Sequence, residues 1–181
     1  DTESAIQSFE KLINEMGNLD ILIINAGIGH INPSLDWLME KETIDTNISG
    51  FTALATAGMR YFIKKGAGHL VGISSIASIR GSDTAPAYSA SKAFMSNYLE
   101  GLNRKVAKEK LPITITDIQP GFVDTAIVKG DKIFWMVSPK KAAKQIYNAI
   151  NEKKRIAYIT KRWILIAWLL KILPGYLYRK L

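Results

Sequence analysis

The chain has 181 residues, 48% hydrophobic and 22% charged, which suits one globular domain with a sizeable core and excludes intrinsic disorder. It holds no cysteine, which excludes disulfides, thiolate metal sites and cysteine nucleophiles, and its two histidines, His30 and His69, are too scattered for a metal site. The formal charge is +8, yet no basic run is interleaved with aromatics as a nucleic-acid stacking surface requires, so a small-molecule partner is expected and no nucleic acid.

Residues 2–17 predict a helix, because Ile6, Phe9, Leu12, Ile13 and Met16 fall at helical spacing and Gly17 stops it. Residues 20–25 read as a short strand buried on both faces. A long helical stretch is predicted from about 35 to 65, and residues 69–75 are the next strand. Residues 85–110 read as a helix and 113–119 as a strand. Residues 138–153 form a further helix, with Ser138 as cap and Pro139 at its first position, and 156–160 a last strand. Strand and helix alternate throughout. The expected class is α/β, a Rossmann-like doubly wound parallel sheet with helices on both faces and ligands at the carboxyl ends of the strands. Residues 1–160 would form the domain and 161–181 a tail.

The predicted strand ends carry the unusual residues: Asn25-Ala26-Gly27 after the first, Ser74-Ser75 after the second, Pro120-Gly121 after the third. Small residues there let backbone approach a flat ligand. Tyr88 and Lys92 then stand one turn apart at the start of the following helix. Side chains at i and i+4 share a face, so the Lys92 ammonium is expected to favour the ionised Tyr88 phenol, each unit of depression being worth about 1.4 kcal/mol.

On these residues the chain resembles a short-chain dehydrogenase/reductase of the single-domain Rossmann kind. Asn25-Ala26-Gly27 resembles that family's Asn-Ala-Gly motif beside the dinucleotide, and Asn47 falls where it keeps a catalytic asparagine. Ser75, thirteen residues before Tyr88, matches its serine, and Tyr88 to Lys92 its Tyr-x-x-x-Lys. Pro120, Gly121, Val123 and Thr125 resemble its nicotinamide-lining segment. The resemblance implies hydride transfer between NAD or NADP and an alcohol or carbonyl. Ser75 would hold the carbonyl oxygen and Tyr88 would exchange its proton. Lys92 would lower the Tyr88 pKa and bond the nicotinamide ribose, while Asn47 would hold a water leading to solvent. Ser74 is the rival serine, but strand alternation points it the other way. The resemblance also implies a homodimer or homotetramer.

The family's Thr-Gly-x-x-x-Gly-x-Gly fingerprint is not found in the sequence, so the residues given are expected to be the later part of a longer chain. A protein that lacked the fingerprint altogether would instead be a noncatalytic or membrane-associated scaffold. Residues 124–137 fall where the family places its substrate flap, and Ile127, Val128, Ile133, Phe134, Trp135 and Met136 make it apolar, which fits a hydrophobic substrate or simple core packing. The tail from Lys161 combines Trp, Tyr, Lys and Arg around an apolar run too short to span a bilayer. It fits either an interfacial membrane helix or a helix packed over the cleft or a second subunit. The expected location is the cytoplasm, with peripheral membrane contact left open.

Overall fold

The structure, a computed structural model, describes residues 1–125 and 135–180. α1 (Thr2–Met16) starts where the Asp1 carboxylate accepts from the backbone N–H groups of Glu3 and Ser4, and it ends at Gly17, whose φ of 72° lies in the left-handed region that glycine enters freely. β1 (Ile21–Ile24) follows, then α2 (Trp37–Ile44), a wider π-type stretch over Asp45–Gly50, and α3 (Phe51–Lys65). β2 (Gly68–Ile73) leads through a tight turn at Ile76–Ile79 into α4 (Pro86–Lys108) and β3 (Ile113–Pro120). α5 (Pro139–Asn151), β4 (Ile156–Ile159), α6 (Trp163–Ile172) and α7 (Gly175–Tyr178) complete the described chain.

The four strands form one parallel sheet in the order β1-β2-β3-β4, so each crossover carries helices, as the alternation predicted. Alternate residues divide the core in two. Leu70, Ile113 and Ile115 face α3 and α4, where Phe51, Phe62, Met95 and Leu99 fill the space, while Val71, Ile118 and Ala157 face α5 through Ala142 and Ala149.

Two expectations need correction. The long helix is not regular: its turn widens at Asn47, one extra residue of the sort that π-bulges insert at functional sites. β1 is covered on one side only. Ile24 and Leu22 pack toward α3, whereas Ile21 and Ile23 point the other way and are exposed, because among the described residues no helix lies over that side of the edge strand. Ser138 does occupy the cap position of α5, but its side chain makes no cap bond. Of the predicted flap, Ile127, Val128, Ile133 and Phe134 lie outside the described residues. Its two ends meet through a bridge between Val123 and Val137.

Candidate active site

The carboxyl ends of β2 and β3 converge on the first turns of α4. This helix begins at Pro86 without a side-chain cap from its own preceding residue. Glu40 of α2 supplies one: Oε2 accepts from the Ala87 N–H at 3.1 Å, and Oε1 accepts from Nδ2 of buried Asn32 at 2.7 Å. A carboxylate at a helix N-terminus satisfies orphan amides and complements the dipole. Thus α2 fixes the direction in which α4 presents Tyr88.

Tyr88 is half-buried and Lys92, one turn on, is only 5% exposed. The Lys92 Nζ lies 5.8 Å from the Tyr88 ring centre and donates to the Ile73 carbonyl at 2.9 Å. Ser75, just past β2, shares a hydrogen bond with Tyr88 and accepts from the Ala77 N–H at 3.1 Å. The serine, the phenol and the ammonium therefore form one cluster at the sheet edge.

The electrostatics differ from the sequence expectation of a phenol loosened by lysine. Burial pushes the Tyr88 phenol up, and the hydrogen bond from Ser75 is what opposes it. Burial also pulls Lys92 down to about 8, against the pull of the Asp117 carboxylate. The reason is geometric: the ammonium is turned to the Ile73 carbonyl, and both groups have lost water, which favours their neutral forms.

This has a consequence for stability. An unfolded lysine holds its proton to about 10.5, while the folded Lys92 releases it at about 8. Between those values the unfolded state binds more protons, so this group's contribution to stability rises with pH, by at most about 1.4 kcal/mol per pH unit, and is flat below. Urea unfolding of wild type and Lys92→Met from about pH 7 to about pH 10 checks this. The wild type should gain on the variant only above about pH 8; a constant difference would contradict it.

Asn47, fully buried in the π-type stretch, is a strut. Its Oδ1 accepts from the Ile28 N–H at 2.9 Å, and its Nδ2 donates to the Ile28 carbonyl at 2.8 Å and to Ser91 Oγ at 2.9 Å. Ser91 in turn donates to the Tyr88 carbonyl at 2.8 Å. Both amide hydrogens are thus committed to protein, leaving only a lone pair of Oδ1 for water. Asn47→Ala leaves the Ile28 amide and carbonyl unpaired, and chemical denaturation should show a loss of about 1–3 kcal/mol.

Two glycines admit the cluster. A Cβ at Gly27 would come within 3.2 Å of Lys92 Nζ and 3.3 Å of Asn47 Oδ1, and one at Gly29 would come within 2.7 Å of the Tyr88 ring. Gly29→Ala should displace the ring and lower turnover about 10–100-fold with little loss of fold, since small misplacements of a reacting group are costly. Thermal melts beside initial rates measure this.

The remaining predicted residues are less closely grouped. Asn25 and Ala26 are exposed beyond β1, and only Gly27 of that triplet closes on Lys92. Pro120 offers its carbonyl to Ser75 Oγ at 3.4 Å. Gly121 packs against Trp163, whose Nε1 a Cβ would meet at 2.0 Å. Val123 is held by its bridge to Val137, and Thr125 is exposed. Ser74 is turned away from Tyr88 into a buried network, donating to Asp117 Oδ1 at 2.5 Å and accepting from Ser96 at 3.1 Å. His30 pairs with Glu42 at 2.8 Å, and His69 bonds Thr116 at 2.8 Å within the sheet, where burial lowers its pKa.

The sequence model of the short chain dehydrogenase family matches residues 1–133. The chain belongs to that family. It is 36% identical over 127 residues to an uncharacterized oxidoreductase of Myxococcus xanthus, covering 69% of this chain and 49% of that one, so the match spans about half of that relative. It is 31% identical over 186 residues to an uncharacterized oxidoreductase of Mycobacterium tuberculosis, covering 99% of this chain and 72% of the other. A short chain dehydrogenase from Burkholderia cenocepacia, solved in complex with NADP, superposes with a TM-score of 0.82 over 100% of this chain and 76% of that one at 21% identity.

As a short-chain dehydrogenase, the chain can be tested for room for a nicotinamide nucleotide. Lys92 carries three N–H donors, of which the Ile73 carbonyl takes one and Met95 Sδ, at 3.6 Å, accepts weakly. The pair of hydroxyls on a ribose suits what is left, and Gly27, lacking Cβ, leaves the approach open. The nicotinamide-ribose half therefore fits the residues present.

Beside the Ser75 and Tyr88 hydroxyls lies a cavity of about 510 Å³. Ile31, Ile76, Phe122, Trp163 and Leu170 line it with apolar surface. Sequence reasoning missed two contributors, Glu40 and Arg80, whereas Trp163 belongs to the tail for which packing over the cleft was one of the expectations. Arg80 donates from Nε to the Leu170 carbonyl at 2.8 Å and from Nη2 to the Leu173 carbonyl, and lies over the Tyr178 ring at 5.4 Å, so it ties the tail to the site. Its position eight residues before Tyr88 carried no spacing signal, since the partners are backbone carbonyls about ninety residues away.

Proposed function

We propose that this protein is an NAD(P)-dependent oxidoreductase that interconverts a hydrophobic alcohol and its carbonyl, with Tyr88 as general acid and base. The observation that carries the reading is the cluster of Ser75, Tyr88 and Lys92 at the edge of an apolar cavity. Bound NADH or NADPH would supply the hydride, and NAD or NADP would accept it in reverse. The protein's residues would do the rest.

In the reducing direction the carbonyl carbon gains the hydride, the C=O π pair moves to oxygen, and that oxygen takes a proton from Tyr88. Ser75 donates a hydrogen bond to the developing oxyanion, the place where a donor lowers the barrier most. Burial keeps the phenol protonated near neutral pH, so the proton is in place before hydride arrives, and the negative charge developing on the substrate oxygen is what draws it off. Lys92 would hold the ribose hydroxyls and, while charged, would steady the phenolate left after proton transfer. Asn47 keeps the loop after β1 and the start of α4 in register around it.

The small-molecule substrate has an apolar body, for which the cavity lining is the support. The family's common habit of self-association favours a homo-oligomer. The reading places the protein in the cytoplasm, with residues 161–181 in peripheral contact with a membrane. Among the described residues no helix is long and apolar enough to cross one. Following nicotinamide fluorescence against ketones and aldehydes of graded chain length tests the reading. Rates should rise with apolar chain length, and a preference for small polar carbonyls would overturn the hydrophobic substrate.

A further inference from the structure

From the two faces of α6 we infer that the tail docks on an anionic lipid surface and that the cavity behind it takes bilayer-resident long-chain alcohols or ketones. The substrate half of this inference rests on the oxidoreductase reading; the docking half does not.

Nine of the ten residues of α6 are apolar, all but Lys171. A helix apolar all round is ordinarily buried on every side. This one is buried on one side only. Trp163 and Ala167 face inward, whereas Leu165 is 70% exposed, Trp168 63%, Ile172 55% and, in α7, Tyr176 61%. Leu165, Trp168 and Ile172 stand at positions i, i+3 and i+7, so they form one outward stripe. Such a continuous exposed apolar stripe marks a binding surface.

Charge selects the occupant. After Glu152 the sequence has no acidic residue, while Lys161, Arg162, Lys171, Arg179 and Lys180 flank the stripe and are exposed. Among the described residues none of these five enters an ion pair. A two-fold pairing with a second copy would set the same cations against each other, with no acid in the tail to offset them. An anionic bilayer offers the complementary charge, and Trp and Tyr beside Lys and Arg suit the interface between headgroups and acyl chains. At about 1.5 Å per residue, α6 is far too short to cross the ~30 Å hydrocarbon layer, so it lies flat in the interface.

The opposite side of the same segment walls the site. Trp163, Leu170 and Tyr178 line the cavity that holds the Ser75 and Tyr88 hydroxyls, and Tyr178 donates to the Gly81 carbonyl at 2.8 Å beside the Arg80 clamp. Lipid contact and catalytic cavity are thus separated by the thickness of one helix. A long-chain substrate can pass between them without its apolar part crossing bulk water.

The test uses the full-length protein with vesicles of phosphatidylcholine alone or mixed with phosphatidylglycerol. Co-sedimentation should require the anionic lipid, weaken with added salt, and fall at least 10-fold in Leu165→Asp/Trp168→Asp. The charge reversal Lys161→Glu/Lys180→Glu, which leaves the apolar stripe intact, should also weaken it. Sedimentation equal to wild type in both variants would overturn the docking, and so would a light-scattering mass that halves in the Leu165→Asp/Trp168→Asp variant, which assigns the face to a second copy. For the substrate, the Leu165→Asp/Trp168→Asp variant should keep its rate on a water-soluble short-chain ketone and lose about 10-fold on a long-chain ketone carried in anionic vesicles. Equal loss on both ketones would overturn the bilayer route, whereas vesicle binding without any nicotinamide turnover would leave the docking standing and remove the oxidoreductase reading.

Discussion

Tyr88→Phe is expected to lower the turnover number by about 10²–10⁴-fold while leaving nicotinamide binding and unfolding midpoint close to wild type. The ring stays, so its contact with Gly29 and the Lys92 stem survive; only the hydroxyl that bonds Ser75 is removed. Without it the oxygen of a carbonyl that accepts hydride has Ser75 as a hydrogen-bond donor but no acid to protonate it. Steady-state rates together with dinucleotide titration by fluorescence separate the two effects. A fall in affinity with an unchanged turnover number would mean that Tyr88 positions the cofactor and moves no proton.

Lys92→Met carries the second large effect, a loss of about 10²–10³-fold in kcat/KM. Methionine fills a similar volume, so the core near Met95 stays packed, but the donor to the Ile73 carbonyl and the positive charge beside the phenol both go. Because Lys92 releases its proton at about 8, wild-type kcat/KM should decline above that pH, where the cation is lost. The residual activity of the variant should lack that limb. A variant that retains it would assign the ionisation to another group.

The order of strands and helices was legible because short apolar runs, at 20–25, 69–75, 113–119 and 156–160, are separated by longer stretches with apolar residues at helical spacing, with Gly17 and Pro139 as punctuation. The local pairing of Tyr88 with Lys92 was legible for the same reason, since one turn of helix brings them together wherever the helix lies. The direction of the Tyr88 shift was not, because it depends on how much water the two groups lose, and that is set by Gly29, Ser75 and the helix ends around them. The widened turn at Asn47 escaped for a related reason: the bonds that its side chain makes there reach Ile28, nineteen residues away, and no local pattern records them.

The exposure of Ile21 and Ile23 shows the limit of composition arguments. An unbroken apolar strand reads as buried on both faces, but cover depends on which helices reach the edge. Glu40 and Arg80 were invisible because each acts on backbone groups of a distant element, where no pattern of residue types records the contact.

The most direct test of the chemistry follows deuterium from NADH or NADPH carrying two deuteriums at C4 of the reduced nicotinamide ring into a long-chain ketone, with product mass read for the full-length wild type and for Tyr88→Phe. The account predicts an alcohol carrying one deuterium on the former carbonyl carbon from the wild type, and almost none from the variant in the same time. Deuterated alcohol formed at equal rates by both proteins would contradict it.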